Sequence, residues 1–388
     1  MQTTHTGSNQ FDVIVLGIGG MGSATCLELA KRGLRVLGLD RFPLVHDHGS
    51  SHGESRIIRK AYFEHPDYVP LLHRAYDRWH ELAAATNRTL FHPTGLLLSG
   101  DPNGETIRGA RLSAAQHGLV LENFAPPAAH ERFPGMRFPA DHEIAFEPGA
   151  GTLFVDQCVQ AQVDAALERG ATLIGNEPVI DWSSQANEIH VRTSNNEYRS
   201  RKLIVTAGAW SNDFLQGLGL GLTVLRKFVG WFPIQVGDYK ATSGLPNYFY
   251  EMPTGTFYGF PSFDGKTVKV AEHSGGELVQ DPFQVDRQCR AADVDRLQQF
   301  IRNCLPSVGP QVERHAVCFY TMSLDQHFIV DIHPRWKNVI YAAGFSGHGF
   351  KFCPVIGMAL ADLAETGTTD LPIKFLACDR GRPAWIKG

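Results

Sequence analysis

The sequence lacks the features that define several common protein classes. It has no CxxC pair, and its cysteines are odd in number and scattered, which argues against a disulfide framework and favours a reducing compartment. No apolar run reaches the ~18 residues that a membrane span needs. The seven cysteines are Cys26, Cys158, Cys289, Cys304, Cys318, Cys353 and Cys378.

Charge of one sign is not in excess either. The 388 residues carry a net charge of −4 and a sequence pI near 6.5, so we expect no binding to nucleic acid or to an anionic membrane surface. The first ten residues, MQTTHTGSNQ, form a polar tail rather than a signal peptide, and the ending RPAWIKG is not a peroxisomal signal. The expected location is the cytoplasm. The length and a hydrophobic content of 43% predict two or three folding units.

The first forty residues show the pattern of a dinucleotide-binding unit. The apolar run FDVIVLG predicts a buried parallel strand, and GIGGMG follows it. In such a fingerprint Gly17 allows the tight turn, Gly19 lets the backbone approach a pyrophosphate, and Gly22 lets the next helix pack on the strand. A second strand ends at Asp40, where a ribose-binding carboxylate belongs. A βαβ unit without a ligand is the structural alternative, and NAD and FAD both fit this pattern.

Two later segments repeat the strand–turn–helix design and favour FAD. RKLIVTAGAWSNDF runs from Arg201 to Phe214, and KNVIYAAGFSGHGFKFCPVIGMALADL runs from Lys337 to Leu363. Three such junctions spread over the chain suit an elongated cofactor that the chain contacts repeatedly. A nicotinamide enzyme usually keeps its fingerprint in one contiguous domain.

Six stretches that occur in order over nearly the whole chain carry a family resemblance. They are GIGGMGSA, GSSHGESRIIRKAY, TAGAWS, YGFPSF, AVCFYTMSLDQHFIVD and AAGFSGHGFKF. On these stretches the chain resembles the monomeric sarcosine oxidase and N-methyl-L-tryptophan oxidase family, which are covalent FAD amine oxidases.

The resemblance implies an α/β fold. We expect a Rossmann-type FAD-binding domain, like that of glutathione reductase, with an inserted α+β substrate domain built on an antiparallel sheet, as in D-amino-acid oxidase. The expected FAD-binding domain comprises 1–93, 150–222 and 325–388. The expected substrate domain comprises 94–149 and 223–324.

The segment HDHGSSHGESRIIRKAY allows two interpretations. His46, Asp47, His48 and His52 crowd together as metal ligands do, but no HExxH or comparable set completes a site, so we predict no metal. The other interpretation is a loop whose backbone approaches the flavin.

The flavin interpretation places Gly49, Ser50 and Ser51 next to the cofactor. Two arginines around an Ile-Ile pair cannot both be surface charges if this segment is buried. The family resemblance implies that Arg56 and Arg59 lie over the flavin ring and help to hold the substrate carboxylate.

The glycine loop GFSGHGFKF supplies a further cation. Lys351 precedes a helix and can reach inward, although a solvated helix-start lysine is the ordinary alternative. The resemblance implies that Lys351 and Arg59 clamp the substrate carboxylate with charge-assisted hydrogen bonds. His348 then either bonds near that carboxylate or the flavin edge, or is a satisfied core histidine.

The segment TFYGFPSFDGKTVKVAEH predicts a hairpin that turns at Asp264-Gly265. Lys266 beside the turn is expected to be exposed, whereas Lys269 and His273 share one face of the second strand. The resemblance implies that Lys269 contacts the flavin N5 region through water and activates oxygen, because a cation stabilises the superoxide that forms. An outward-facing strand lysine is the alternative. His273 is expected to be a second pocket residue.

Three aromatic residues are candidate walls of the substrate pocket, although most aromatic residues simply belong to cores. They are Phe249, Tyr258 and Tyr320. In sarcosine-specific members of the family a flexible methionine stands at the place of Phe249, so the size of the substrate stays open. Besides the residues already named, the expected cofactor contacts are Gly20, Met21, Arg41, Ile57, Val179, Ala207, Gly208, Trp210, Gly344, Gly347, Gly349 and Phe350.

Cys318 stands alone in RHAVCFYTMSLDQHFIVD, and the ordinary role of such a cysteine is a small core residue. The resemblance implies instead a thioether to the 8α-methyl of FAD. A site with Arg56, Lys269 and Lys351 would favour the thiolate that this bond requires. Cys353 is the rival, and its place at a helix start facing the core makes it the weaker one.

The reaction implied by the resemblance is the oxidation of an N-methyl amino acid at its methyl carbon, with oxygen as acceptor. The products are the free amino acid, formaldehyde and hydrogen peroxide, and a monomer is the family's usual form. Three alternatives stay open. One is the same chemistry on another amine such as N-methyl-L-tryptophan, pipecolate or a D-amino acid. The others are a dehydrogenase that passes electrons to a partner and a non-catalytic flavin-binding redox protein.

Overall fold

The structure, a computed structural model, describes residues 10–185 and 187–380. Of the expected ten-residue polar tail, residues 1–9 lie outside the described chain and Gln10 begins the first strand. The ending RPAWIKG also lies outside it. The α-helices of the described chain are α1 (Gly20–Lys31), α2 (Val69–Thr86), α3 (Glu105–His117), α4 (Pro126–Arg132), α5 (Val155–Glu168), α6 (Ser211–Phe214), α7 (Ala291–Cys304) and α8 (Cys353–Thr366).

One eight-stranded sheet has a parallel centre. Its strands are β1 (Gln10–Leu16), β2 (Val36–Leu39), β9 (Thr172–Ile174), β10 (Val179–Gln185), β11 (Glu188–Thr193), β12 (Glu197–Val205), β19 (Ile329–Ile332) and β20 (Val339–Ala343). β1 pairs in parallel with β2 and β12, and β12 pairs in parallel with β20. Every residue of β2 is buried, as a strand covered on both faces requires. The parallel strands predicted from the sequence are therefore confirmed.

A nine-stranded sheet is mostly antiparallel. Its strands are β5 (Leu96–Gly100), β6 (Glu122–Phe124), β7 (Glu143–Glu147), β13 (Thr223–Pro233), β14 (Asn247–Met252), β15 (Gly255–Phe260), β16 (Thr267–Glu272), β17 (Glu277–Val279) and β18 (Arg314–Met322). The expected antiparallel sheet contains one parallel pair, β14 with β5. These two strands are far apart in sequence, so no hairpin forces them to run in opposite directions.

A third sheet has three strands and ties two segments of the chain together. Its strands are β3 (Ser55–Ile58), β4 (Phe91–His92) and β8 (Gly151–Phe154). β8 pairs antiparallel with both β3 and β4.

The chain divides into two compact units. Unit 1 is formed by the described parts of Met1–Ser51, Cys158–Thr223 and Thr321–Gly388, and unit 2 by His52–Gln157 and Val224–Tyr320. The expected boundaries differ, since 52–93 and 150–157 belong to unit 2. Glu147 accepts the N–H groups of Lys60 and Ala61, and Asn247 accepts the hydroxyl of Thr152, so both segments bond to the expected substrate domain. That unit 2 acts as the substrate domain stays a prediction.

The predicted hairpin is confirmed, but its connection is longer than a two-residue turn. β15 and β16 pair antiparallel, with Phe260 opposite Lys269. The carboxylate of Asp264 accepts the N–H groups of Lys266 and Thr267, both at 2.8 Å, which stabilises the wider loop. Lys266 is exposed, as predicted.

Two helices that begin near glycine turns differ in length. α8 packs on α1, since a Cβ on Gly357 would lie 2.8 Å from the carbonyl carbon of Ala24. The helix expected after TAGAWS is only a 3₁₀ turn and the four-residue α6. Left-handed glycines at 217, 219 and 221 follow it and end the helix early. None of the helices in the described chain is long and apolar enough to cross a bilayer.

Candidate active site

The turn after β1 in unit 1 is shaped by two glycines. Gly17 has a φ of +88°, in the left-handed region where a side chain is strained. A Cβ on Gly22 would lie 1.8 Å from the carbonyl oxygen of Gly17, so only glycine lets α1 begin this close to the strand. The conformational roles predicted for both glycines are confirmed, and their contact with a cofactor stays a prediction.

The first turn of α1 forms a cradle that suits a phosphate. Gly19 is the extended N-cap and makes no side-chain cap bond itself. The nearest atom to a Cβ on Gly19 would be Ser51 Oγ at 3.8 Å, and this oxygen accepts the N–H of Gly20 at 3.1 Å. Open space beside backbone N–H groups at a helix N-terminus favours an anion. The residues therefore fit the pyrophosphate of FAD.

Asp40 follows β2, as predicted. Its carboxylate accepts the N–H groups of Ile18 at 2.7 Å and Phe42 at 3.0 Å, which leaves acceptor positions for ribose hydroxyls. Phe42 was not foreseen as a site residue. Its ring stacks on His48 with centroids 4.2 Å apart and lies 5.3 Å from the ring of Trp210. The sequence feature that could have predicted it is an aromatic residue two positions after Asp40, which follows β2.

The histidine-rich segment does not form a metal site in the described chain. Between residues 10 and 380, with residue 186 excepted, no three His, Cys, Asp or Glu side chains come together as ligands. His46 Nε2 instead lies 3.5 Å from Asp40 Oδ1, and His52 is buried.

Lys351 is buried in the glycine loop of unit 1, so the interpretation as a solvated helix-start lysine is wrong. Its Nζ donates to the carbonyl oxygen of His348 at 2.7 Å. The ring Nε2 of His348 lies 2.9 Å from the carbonyl oxygen of Gln326. Gly344 and Gly347 adopt φ values of +64° and +83°, which bend the loop around this lysine.

Arg59 is buried in unit 2 against two aromatic rings. Its guanidinium carbon lies 4.3 Å from the ring centre of Tyr62 and 3.9 Å from that of Phe63. It also donates to both carboxylate oxygens of Glu64, at 2.7 and 2.6 Å. A substrate carboxylate at Arg59 would therefore have to share the guanidinium with Glu64 or replace it. Glu64 was missed, because a spacing of five residues in a loop carries no signal for an ion pair.

Lys269 is also buried in unit 2, so the outward-facing alternative is wrong. Its Nζ donates to the carbonyl oxygens of Gly53 at 2.7 Å and Ser55 at 3.0 Å, and to Ser55 Oγ at 3.1 Å. Burial, and then the charge of Arg56, hold the pKa of Lys269 well below its usual range, while Cys318 acts in the opposite direction. Arg56 itself is half-buried and donates to the carbonyl oxygen of Ser55 at 2.8 Å.

The predicted aromatic wall comes together around His273. The ring of His273 has its centre 5.6 Å from that of Phe249, 6.3 Å from Tyr258 and 5.5 Å from Tyr320. Its Nδ1 lies 3.3 Å from the hydroxyl of Tyr320. Burial raises the pKa of both tyrosines, so both are neutral phenols near pH 7. We call these four side chains the aromatic wall.

Cys318 is buried in β18, which pairs with β13. A thiolate at this position would raise the pKa of two buried lysines, Lys269 and Lys227, so its sulfur lies within electrostatic range of both. Cys353 is buried at the start of α8 in unit 1, and a Cβ on Gly20 would lie 2.7 Å from its sulfur.

Lys227 in β13 was missed by the sequence reasoning. Its Nζ donates to the carbonyl oxygens of residues 273–275, at 3.1, 2.7 and 3.1 Å, and lies 5.0 Å from the ring centre of Tyr320. Burial lowers the pKa of Lys227 to about 8. Its neighbour Arg226 is paired with Asp293. Two consecutive basic residues inside an apolar strand were the available signal, because they cannot both face solvent.

The other expected cofactor residues are dispersed. Met21 is buried in α1, Val179 begins β10 in the core of unit 1, and Ile57 is half-buried in β3. Arg41 is exposed and Gly208 has a φ of +53°. The remaining ones lie in loops or 3₁₀ turns of unit 1 that follow β2, β12 and β20, namely Gly49, Ser50, Ala207, Trp210, Gly349 and Phe350.

Comparison with known proteins agrees with this arrangement. The model of the FAD dependent oxidoreductase family, DAO, matches residues 12–363. A monomeric sarcosine oxidase from Bacillus sp. (strain NS-129) is 38% identical over 378 residues, which cover 96% of this chain and 97% of that protein. An N-methyl-L-tryptophan oxidase from Yersinia pestis (strain Pestoides F) is 34% identical over 374 residues, which cover 96% of this chain and 100% of that protein.

Solved structures show the same fold. NikD, described as an unusual amino acid oxidase essential for nikkomycin biosynthesis, superposes with a TM-score of 0.84 at 26% identity, over 95% of this chain and 97% of that chain. Glycine oxidase from Geobacillus kaustophilus has a TM-score of 0.80 at 20% identity, over 96% of this chain and 99% of that one. The family model and the full-length relatives together establish that this chain belongs to the DAO family of FAD-dependent oxidoreductases.

Proposed function

We propose that this enzyme is an oxidase that removes the methyl group of an N-methyl amino acid. The overall change is R–NH–CH₃ + O₂ + H₂O → R–NH₂ + HCHO + H₂O₂. The observation that supports it best is the aromatic wall, in which Phe249 and Tyr320 are buried and Tyr320 lies against the cation Lys227. Aromatic faces beside a cation suit a small amino acid, and they occur in a chain 38% identical to a monomeric sarcosine oxidase.

FAD, when bound, would accept two electrons and a proton from the methyl carbon and deliver the electrons to oxygen. The aromatic wall would exclude water and position the N-methyl group, which alone is worth a large rate factor. The charges of Arg59 and Lys351 disfavour an ammonium nearby, so the amine would bind in its neutral, reactive form. Lys269 would stabilise the negative charge that develops on oxygen.

The substrate carboxylate is the proposed partner of two buried cations. Arg59 offers a planar fork that fits a carboxylate, and Lys351 offers a compact ammonium. Both are only 5% exposed, and a carboxylate forms strong charge-assisted hydrogen bonds with such cations; at Arg59 it would share or replace the bonds to Glu64. Single substitutions at each position test the two assignments separately.

A larger amine is a second candidate substrate, and Phe249 supports it. This residue is 7% exposed, and its ring lies 5.1 Å from that of Phe63 and 5.6 Å from that of His273. An aromatic face there offers stacking to an aromatic amine. The relative named N-methyl-L-tryptophan oxidase is 34% identical to this chain.

Turnover of a substrate panel tests the proposal. The holoenzyme is mixed with sarcosine, N-methyl-L-tryptophan, L-pipecolate and a D-amino acid, and both hydrogen peroxide and formaldehyde are measured. We expect equal amounts of the two products from an N-methyl amino acid. Peroxide without formaldehyde would point to a cyclic or primary amine. Reduction of an artificial dye without peroxide would indicate a dehydrogenase.

We also propose a thioether between Cys318 Sγ and the 8α-methyl of FAD. Its formation would remove the thiol proton and a hydride equivalent from the methyl group, with oxygen taking up the two electrons. Two buried lysines, Lys227 and Lys269, lie within electrostatic range of the Cys318 sulfur.

Denaturation tests this bond. We expect the yellow colour to precipitate with the wild-type polypeptide and with a Cys353→Ser variant, and to stay in the supernatant for Cys318→Ser. Colour released from the wild type would mean that Cys318 is an ordinary core residue, and that FAD is bound without a covalent bond. We further propose that the enzyme acts as a monomer, which light scattering of the holoenzyme checks.

A further inference from the structure

The turn that leads into β3 has an unusual backbone. Glu54 has a φ of +70°, in the left-handed region that residues other than glycine seldom adopt. The N–H of Ser55 closes the turn on the carbonyl oxygen of Gly53 at 2.9 Å. Such a conformation persists only where the surroundings hold it.

This turn holds the ammonium of Lys269. Two of the three acceptors around its Nζ are the carbonyl oxygens of Gly53 and Ser55, the residues on either side of Glu54. The two carbonyls converge on one point because the chain reverses at Glu54. A more extended backbone at Glu54 would move at least one of them away from the lysine.

Several elements fix Glu54 from different directions. Its N–H donates to Asp156 Oδ2 at 3.0 Å, and its carbonyl oxygen accepts the N–H of Val155 at 2.9 Å. Its carboxylate accepts Trp231 Nε1 at 3.0 Å and is paired with the guanidinium of Arg314. That guanidinium lies 4.2 Å from the ring centre of Trp231. The side chain therefore links the turn to β13 and β18.

A cavity of about 360 Å³ lies against the same residues in unit 2. Its lining includes Glu54, Trp231, Lys269 and Arg314. Trp231 is directly opposite Lys269 in the β13–β16 pair. Displacement of Glu54 would thus change both the acceptors of Lys269 and the wall of the cavity beside it. Coulombic attraction from Glu54 also raises the pKa of Lys269, against the effect of burial.

We propose that Glu54 is a positioning residue that acts through Lys269 in the reaction with oxygen. Its side chain holds the left-handed turn, and the turn holds the ammonium. The ion pair with Arg314 is half-exposed and contributes little stability by itself, so its effect is on geometry. This inference rests on the proposed function of Lys269 in oxygen activation.

The test compares two half-reactions in the holoenzyme. Glu54→Gly keeps the left-handed turn accessible and removes the side-chain links, whereas Glu54→Gln keeps an acceptor for Trp231. We expect Glu54→Gly to lower the second-order rate constant for oxygen about tenfold, and Glu54→Gln to lower it less. In both variants the rate of flavin reduction by substrate, measured without oxygen, should change by less than about twofold. The control Glu313→Gln, at an exposed residue, should change neither rate by more than this.

A double variant decides whether the effect passes through Lys269. Glu54→Gly should have no additional effect on the oxygen reaction of Lys269→Met, because the coupled group is already lost. If Glu54→Gly lowers the oxygen rate constant equally in the wild type and in Lys269→Met, the inference is overturned. An unchanged oxygen rate constant in folded Glu54→Gly and Glu54→Gln would overturn it as well. A Lys269→Met variant that keeps wild-type oxygen reactivity would overturn the proposed role of Lys269 itself.

Discussion

The two units use different parts of the chain to build their candidate sites. In unit 1 the phosphate cradle is made of backbone, with Gly17, Gly19 and Gly22 at the start of α1. In unit 2 the pocket is made of buried side chains, and Lys269 and Lys227 are held by backbone carbonyl oxygens. The backbone site in unit 1 requires that no side-chain atoms fill it, whereas the buried cations in unit 2 require hydrogen-bond partners. Substitutions in unit 1 should therefore reduce FAD binding, and substitutions in unit 2 should change the kinetics.

The expected effect with the widest consequence is at the backbone site, because an enzyme that loses FAD loses every step of the reaction. Gly22→Val puts side-chain atoms where a Cβ alone would lie 1.8 Å from the carbonyl oxygen of Gly17, so α1 must move. We expect FAD content to fall at least about tenfold, measured by flavin absorbance relative to protein. Gly149→Ala is the control, since no atom lies within 4 Å of a Cβ there. Normal FAD content in Gly22→Val would contradict the assignment of the cradle.

A charged residue of unit 2 should affect the substrate rather than FAD. Arg59→Lys replaces a planar fork by a single ammonium, so we expect KM to rise roughly 10- to 100-fold while FAD content is unchanged. Arg74→Lys on the exposed side of α2 is the matched control. Glu64→Gln sharpens the experiment, because loss of the competing carboxylate should lower KM. An unchanged KM in Arg59→Lys would remove Arg59 from the substrate site.

A smaller effect is expected in the aromatic wall. Phe249→Met removes an aromatic face and leaves a flexible side chain. We expect the ratio of kcat/KM for sarcosine to that for N-methyl-L-tryptophan to rise roughly three- to tenfold. Phe283→Met, at an exposed phenylalanine, is the control. If the ratio does not move, Phe249 does not contact the substrate side chain.

The smallest expected effect concerns stability and pH. Because the pKa of Lys227 is about 8 in the folded protein and near 10.5 when unfolded, the unfolded chain binds more protons between these values. The free energy of unfolding should therefore rise with pH in the wild type relative to Lys227→Met, by about 2 kcal/mol between about pH 8 and pH 10. Denaturant titrations of both proteins across this range measure it. A flat difference would mean that Lys227 has an ordinary pKa.

The contrast between the backbone cradle of unit 1 and the buried side chains of unit 2 also explains which features the sequence could predict. The cradle of unit 1 is encoded by neighbouring residues, so strand, glycines, helix and Asp40 were all predicted correctly in place. The hairpin carrying Lys269 was also predicted, because alternation and turn residues are local signals.

The partners of the buried charges were not predictable in this way. Glu54 and Arg314 lie 260 residues apart, and Lys227 is held by the carbonyls of residues 273–275. Such contacts depend on how strands are ordered in the sheet, and no local pattern encodes that order. The unit boundaries differ from the expected ones for a related reason, since Glu147 and Lys269 bond to the backbone of residues 53–61, far from them in sequence.

The most direct test of the account is the oxygen reaction of Lys269→Met compared with Lys266→Met. Lys266 is exposed three positions earlier in the chain, which makes it a matched control. Each holoenzyme is first reduced by substrate without oxygen and then mixed with oxygen in a stopped-flow instrument. The account predicts that Lys269→Met retains FAD and substrate reduction but reacts with oxygen about 100-fold more slowly, while Lys266→Met is unchanged. Wild-type oxygen reactivity in Lys269→Met would contradict it.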